Sequence, residues 1–93
     1  MNHHHVHDEK EKKAVINRIA RIIGHMESVK RMVENDVDCA EVLTQLAAIK
    51  SAVNNTGKVV LKGHMEHCIV HAIEDHDLEA IKEFEESIDK FLK

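Results

Sequence analysis

Residues 14–34 read AVINRIARIIGHMESVKRMVE, and the spacing of the apolar residues in this stretch decides the fold class. They recur at alternating intervals of four and three, at Val15, Ile19, Ile22, Met26, Val29 and Val33. Side chains at these intervals share one side of an α-helix, with a repeat close to a heptad. The pattern therefore predicts a first helix over residues 8–34.

A second helical pattern follows a short polar break at residues 35–38. Its members are Val42, Leu46, Ile49, Val53, Val60, His64, Cys68 and Ala72. They predict one helix over residues 39–73, about 50 Å long at ~1.5 Å per residue. Asp38 with Glu41 is a capping pair at its start. The low helix propensity of residues 54–57 leaves a break there as the alternative.

A third and shorter helical pattern follows a polar turn at residues 74–77. Its apolar members are Leu78, Ile81, Phe84 and Ile88, which predict a helix over residues 77–92. The 93 residues include no proline, tryptophan or tyrosine and only two phenylalanines, so a β-sandwich or barrel is disfavoured. We expect a single all-α domain over residues 9–93, preceded by a flexible histidine-rich arm over residues 1–8.

The first two helices are too long for the third to cover both of their apolar stripes. A chain of 93 residues also buries a small share of its surface by itself. The stripes are therefore expected to pack against a second copy of the chain, as an antiparallel bundle.

Several functional classes are disfavoured by what the sequence lacks. The apolar runs are too short for a membrane-spanning helix or a signal peptide, so we expect a cytoplasmic protein without a membrane partner. Two cysteines do not make a disulfide framework and are expected to stay reduced. There is no nucleophile elbow, glycine-rich phosphate loop or partnered carboxylate pair, so an enzyme with a small-molecule substrate is not expected.

Two cysteines and one histidine carry the chemistry. His64 and Cys68 are four residues apart, so both leave the same side of a helix, and a nitrogen with a thiolate sulfur suits a transition metal. Cys39 precedes His64 by 25 residues, which is ~37 Å along one continuous helix. In an antiparallel dimer, Cys39 of one chain would instead lie beside the partner's His64 and the partner's Cys68. The alternative is that both cysteines are small core residues.

Five stretches resemble the CsoR/RcnR family of metal-sensing transcriptional repressors. They are Asn17–His25 (NRIARIIGH), Glu34–Cys39 (ENDVDC), Leu43–Ala52 (LTQLAAIKSA), Gly63–Cys68 (GHMEHC) and Glu79–Glu83 (EAIKE). The resemblance implies a three-helix protomer, an antiparallel four-helix core in the dimer, and a dimer of dimers. It also implies a repressor that binds operator DNA without metal and leaves the DNA when its effector binds.

The resemblance also places a metal site. Cys39, His64 and Cys68 match the three ligands that hold Cu(I) in the copper sensors, and Cu(I) is a soft ion that suits two thiolates and an imidazole. Glu83 matches the carboxylate that bonds the other ring nitrogen of the ligating histidine. One departure is Asp38, which stands where the copper sensors usually carry tyrosine.

Nickel and persulfide responses are the alternatives within the family. His7 stands where nickel and cobalt sensors carry an N-terminal histidine ligand. Together with Cys39, His64 and Cys68 it would supply two sulfurs and two nitrogens, a set that suits square-planar Ni(II). Persulfide sensors of the family normally use the two cysteines without the histidine, so His64 disfavours a persulfide-sensing repressor.

Basic residues concentrate in the first two helices although the net charge is −4. For a repressor, the expected contacts with DNA phosphates are Arg18, Arg21, Lys30, Arg31, Lys50, Lys58 and Lys62. The alternative is that these residues only solvate helix faces, and that the chain is a cytosolic metal-buffering protein with no DNA role.

Overall fold

The computed structural model describes residues 9–64 and 69–93, and these ranges contain no β-strand. The helices are α1 (Glu9–Glu34), α2 (Cys39–His64), α3 (Val70–Glu74) and α4 (Leu78–Leu92). The predicted all-α fold is confirmed, and the last helix begins one residue later than predicted. No helix among the described residues is long and apolar enough to span a membrane.

The range predicted as one second helix contains both α2 and α3. Residues 65–68 within it lie outside the described residues, as does the predicted arm over residues 1–8. α2 runs through residues 54–57 without interruption. The alternative of a break at these residues is therefore wrong.

The two turns between helices close in the same way. After α1, the amide of Val37 donates to the carbonyl of Met32, and Asp36 adopts a left-handed φ of 57°. The turn after α3 repeats this geometry, with His76 at a φ of 55°. Both turns satisfy the last carbonyls of a helix by backbone hydrogen bonds, without a glycine.

Each of the two turns is followed by an aspartate that caps the next helix. Asp38 Oδ2 accepts a hydrogen bond from the amide of Ala40 at 3.2 Å, at the start of α2. Asp77 Oδ1 accepts one from the amide of Ala80 at 3.1 Å, at the start of α4. The predicted cap at Asp38 is confirmed, and its carboxylate satisfies an amide that the helix leaves free.

α1 and α2 pack together as an antiparallel hairpin, because only residues 35–38 join them. Buried and half-buried positions on α1 alternate by three and four: Val15, Arg18, Ile22, His25, Val29 and Met32. The matching positions on α2 are Val42, Gln45, Ile49, Ala52, Thr56 and Val59. We call these positions the seam.

A hydrogen bond crosses the seam between His25 and Gln45. The Nε2 of His25 lies 2.7 Å from the Oε1 of Gln45, so the ring N–H donates to the amide oxygen. Thr56, a buried polar residue of the seam, donates its hydroxyl to the carbonyl of Ala52 at 2.8 Å. His25, Gln45 and Thr56 therefore each have a hydrogen-bond partner inside the hairpin.

His25→Ala is expected to lower the free energy of unfolding by about 1 kcal/mol, because it leaves Gln45 without its donor. His25→Gln is the matched control, since its amide can donate in the same direction. Urea unfolding at one protein concentration measures both. An unchanged transition midpoint for His25→Ala would show that the bond contributes nothing to stability.

Residues directly after the seam positions form an exposed surface, which we call the apolar face. They are Ile16, Ile19, Ile23, Met26 and Val33 on α1, with Leu43, Leu46, Val53 and Val60 on α2, and each is at least 36% exposed. Positions that follow the seam lie about 100° around each helix axis. In an antiparallel hairpin this rotation brings both sets to the same side of the pair.

The protomer does not complete its own core. Its buried apolar residues, among those described, are Val29, Ile49 and Ala72. The radius of gyration is 17.2 Å, against about 12 Å for a compact chain of this length. The apolar face is thus left for a partner, which supports the expected packing against a second copy.

α4 carries its apolar residues at helical spacing and returns toward the hairpin. They are Ile81, Phe84, Ile88 and Phe91. α4 packs against α3, and in its last turn the ring of Phe91 lies against Gly57 of α2. Gly57 is seven residues before the end of α2, so the last turn of α4 lies against the C-terminal third of α2.

Candidate metal centre and nucleic-acid interface

Cys39 and His64 are the first and last residues of α2. The two residues are 25 positions apart on this helix, so ~37 Å separates them along its axis. Cys39 is a free, exposed thiol. Two residues so far apart on one rigid helix do not share a metal ion within one protomer.

Both ends of α2 are in register with the apolar face. Cys39 comes four residues before Leu43, and His64 comes four residues after Val60. Residues four apart lie on the same side of a helix. Two antiparallel copies of α2 that meet through the apolar face therefore bring Cys39 of one protomer to the height of the partner's His64.

The described part of one protomer contains no group of three or more histidine, cysteine, aspartate or glutamate side chains that could hold a metal ion. Two predicted ligands, His7 and Cys68, lie outside the described residues. The structure therefore brings no predicted ligands together within the described part of one chain. A site built from both ends of α2 requires two chains.

The start of α1 and the end of α2 form the two walls of one groove. Its volume is about 350 Å³, and Glu11, Lys12, Val15, Ile16, Val59, Val60, Lys62 and Gly63 line it. His64 directly follows Gly63, and His7 precedes Glu11 by four residues. The hairpin thus brings the attachment point of the N-terminal arm to the end of α2 that carries His64, and away from Cys39.

Glu83 lies on α4 and is exposed. It precedes Phe91 by eight residues, or ~12 Å along the helix. His64 follows Gly57 by seven residues, or ~10 Å. Phe91 lies against Gly57, so a path of α4 antiparallel to α2 would put Glu83 near the height of His64.

Four of the seven basic residues predicted to contact DNA share one side of the hairpin. Three of them come directly before a seam position: Arg21, Arg31 and Lys58. Lys62 comes directly before Gly63, which is four residues after the last seam position, Val59. All four basic residues are exposed. These positions lie about 100° from the seam in the direction opposite to the apolar face. The neighbouring positions on the same side are small or polar: Asn17, Gly24, Ser28, Thr44, Ser51 and Asn55. We call Arg21, Arg31, Lys58 and Lys62 the basic face.

The other three predicted residues lie elsewhere. Arg18 is half-buried in the seam. Lys30 and Lys50 each follow a seam position and so belong to the side of the apolar face. Lys30 also lies 4.0 Å from Glu34 in an exposed ion pair. Of the seven residues predicted to contact DNA, four therefore belong to the basic face and three do not.

The basic face could have been found in the sequence by one further step. Charge alone collects every lysine and arginine of the first two helices. Reading the position directly before each apolar seam residue would have selected Arg21, Arg31 and Lys58. That step requires knowing which half of the apolar stripe faces the other helix, and the sequence pattern does not distinguish the halves.

Comparison with known proteins gives the family and two kinds of metal sensor. Residues 11–90 match the family described as metal-sensitive transcriptional repressor. The copper-sensing transcriptional repressor CsoR of Bacillus subtilis (strain 168) is 39% identical over 85 residues, which are 90% of this chain and 84% of that protein.

Two solved structures resemble the fold over nearly the whole chain. The copper-sensing repressor CsoR with Cu(I) from Geobacillus thermodenitrificans NG80-2 matches with a TM-score of 0.88 at 30% identity, covering 97% of this chain and 95% of that one. The nickel-responsive transcriptional regulator InrS matches with a TM-score of 0.74 at 36% identity, covering 94% and 99%.

Proposed function

Since the chain belongs to the family of metal-sensitive transcriptional repressors, we propose that it binds operator DNA without metal and leaves it when Cu(I) binds between two subunits. The family consists of repressors and not of enzymes. Membership also favours a repressor over the metal-buffering protein that the sequence left open. A repressor of this family acts on DNA, which supports a cytoplasmic location.

One observation carries the proposed metal site: Cys39 and His64 stand at opposite ends of α2. A site that uses both needs an antiparallel partner. Cys39 of one protomer would hold the ion together with the partner's His64 and the partner's Cys68, and symmetry gives two such sites per dimer. Two thiolates and one imidazole complete a site that a soft Cu(I) ion prefers.

The apolar face supports the dimer that this site requires. It extends over both helices of the hairpin, and its residues are left exposed in the protomer. Packing two such faces gives a four-helix core. A dimer of dimers, as in the proposed assembly, would use other surfaces, and exposed apolar residues at Ile73 and Leu78 are available for it.

The basic face supports DNA binding by the same assembly. The side of the hairpin opposite the apolar face carries Arg21 and Arg31 from α1 and Lys58 and Lys62 from α2, spread along its length. Dimer formation through the apolar face therefore leaves the basic face free and repeats it in each subunit. Neutralised phosphates supply affinity with a strong dependence on salt. Base-reading side chains are not evident on this face, so sequence readout is expected to depend on DNA shape.

Glu83 is proposed to connect the metal to α4. When His64 binds the ion through one ring nitrogen, its other ring N–H can donate to a carboxylate, which orients the ring. The contact between Phe91 and Gly57 supports Glu83 in this role. Metal binding would then favour one position of α4, and it changes DNA affinity only through its different affinities for the two states.

A nickel response is the second candidate, and the groove between the ends of α1 and α2 favours it. The groove puts the start of α1, and so the attachment of His7, beside the end of α2 that carries His64. His7 can therefore reach the site without crossing the hairpin. It would add a second nitrogen to the set. The likeness to InrS supports this candidate, and the likeness to Cu(I)-bound CsoR supports the first.

Buffered Cu(I) and Ni(II) are expected to separate the two candidates. We expect Cu(I) to release a labelled duplex from upstream of the protein's own gene, as followed by fluorescence anisotropy. His7→Ala should leave the Cu(I) response within about twofold and weaken any Ni(II) response by at least ~10-fold, since it removes a nickel ligand only. His5→Ala, in the same arm, is the matched control. Loss of the metal response in His7→Ala, with no DNA release by Cu(I) in the wild type, would assign the protein to nickel.

A further inference from the structure

Gly57 lies in the interior of α2, where glycine is unfavourable. It costs a helix about 1 kcal/mol relative to alanine. A Cβ atom at this position would overlap the ring of Phe91, with the Cζ, Cε1 and Cε2 atoms all too close. Gly24, the glycine inside α1, has open space around the same position. The close approach of an aromatic ring thus accounts for the glycine in α2.

The contact between Phe91 and Gly57 ties two parts of the protomer together. α1 packs on α2, and α3 packs on α4. Phe91 belongs to the last turn of α4, and Gly57 belongs to the C-terminal third of α2. The contact therefore holds the far end of α4 against the hairpin, while the near end of α4 is held by α3.

This contact fixes the last turn of α4 at one height along α2, and Glu83 lies on the same helix. A helix held at both ends cannot slide along its neighbour without breaking one of the two contacts. If Phe91 left Gly57, α4 would keep its attachment to α3 but would lose its fixed height along α2.

We propose that Phe91 is a positioning residue whose contact with Gly57 makes DNA affinity respond to metal, without touching either the metal or the DNA. The inference rests on the proposed function, because it assumes metal-driven release and the role of Glu83. Phe91 and Gly57 would act through their packing contact, and neither residue would bind the metal or carry a charge. The expected signature is a smaller effect of Cu(I) on DNA affinity, while the affinity for Cu(I) and the metal-free affinity for DNA are both kept.

Phe91→Ala tests the proposal, with Leu92→Ala as the matched control. Leu92 is an apolar neighbour in the same turn and is 73% exposed, against 43% for Phe91. The readout is the ratio of DNA dissociation constants with and without saturating Cu(I). Coupling in such systems is typically ~5–150-fold. We expect Phe91→Ala to reduce the wild-type ratio at least ~5-fold and Leu92→Ala to keep it.

Two further readouts separate positioning from general damage. The Cu(I) affinity and the metal-free DNA affinity of Phe91→Ala should each stay within about twofold of the wild type, because the residue contacts neither ligand in the proposal. Glu83→Gln should give the same loss of ratio, since it removes the other end of the same connection. Amide exchange within residues 78–92 should become faster in Phe91→Ala than in Leu92→Ala.

Gly57→Ala approaches the same contact from α2 and keeps the helix intact, since alanine favours helix. Its methyl group displaces the ring, so the ratio should fall as in Phe91→Ala, with no further fall in the double variant. A full wild-type ratio in either single variant, or equal losses in Phe91→Ala and Leu92→Ala, would overturn the inference alone. A wild-type protein that binds Cu(I) yet never releases DNA would overturn the proposed function first.

Discussion

Equal amounts of Cys39→Ala and His64→Ala subunits, mixed and allowed to exchange, are expected to recover Cu(I) binding that neither variant shows by itself. Each pure variant lacks one ligand in both sites of its dimer. In a mixed dimer, one site loses both ligands and the other keeps both. This recovery follows because the two residues stand at opposite ends of α2 and so serve different sites.

The amount recovered is as informative as the recovery. Random exchange makes half of the dimers mixed, each with one intact site, so the sample should bind roughly a quarter of the wild-type metal. The pure variants should lose at least ~100-fold in affinity, because a missing ligand costs no less than a missing supporting hydrogen bond. Competition with a chromophoric Cu(I) chelator measures both quantities.

Two controls test whether the recovery of Cu(I) binding is specific to the predicted ligands. His71→Ala removes an exposed histidine of α3 that belongs to no predicted site, and it should bind Cu(I) like the wild type. Cys68→Ala in place of His64→Ala should reproduce the recovery, since both are proposed to serve the same site. Wild-type affinity in the pure Cys39→Ala protein, or no recovery after verified exchange, would exclude a site shared between subunits.

Arg31→Ala is expected to weaken operator binding about tenfold, while Lys30→Ala, its immediate neighbour, changes it little. The two residues carry the same charge and are both exposed, but they lie on different sides of α1. Arg31 belongs to the basic face. Lys30 lies on the side of the apolar face and is paired with Glu34. The difference between them isolates position from charge.

The same comparison can be made on α2 with Lys58→Ala and Lys50→Ala. Each basic-face variant should reduce the slope of log affinity against log salt by about one for each phosphate that it no longer neutralises. Arg31→Ala combined with Lys58→Ala should cost about a hundredfold if the two act independently. Circular dichroism and Cu(I) affinity provide the control for folding. Equal effects of Lys30→Ala and Arg31→Ala would mean that the polar side of the hairpin is not the DNA-binding side.

Local chemistry accounts for how well the helix ends were predicted. Asp38 and Asp77 each supply a cap at the helix start, and the turns before them are mostly polar. The ligand pattern is also local in part, since a histidine and a cysteine four residues apart suggest a metal in any helix. Such features depend on neighbours within one or two turns, and the sequence contains all of them.

The candidate site could be predicted only as far as its residue types. The sequence indicates that Cys39 and His64 cannot meet along one helix, and the uninterrupted α2 supports this. It also places His64 in the apolar stripe of the second helix, but it does not indicate that the last turn of α4 lies against Gly57. Contacts such as Phe91 on Gly57 join residues 34 positions apart, and no periodicity connects them.

The sequence by itself determined that this chain is helical, near which residues α2 and α4 begin, and which residue types are available to hold a metal or a phosphate. Only the tertiary structure decided how the wide apolar stripe of α1 is divided. Val15, Ile22 and Val29 face α2, whereas Ile19, Met26 and Val33 are left exposed. A stripe that is about 100° wide can turn either edge toward a neighbouring helix. The edge that packs on the neighbour then fixes the direction of every other residue of the helix. The position of α2 therefore determines which lysines and arginines share the side of the hairpin opposite to the apolar face.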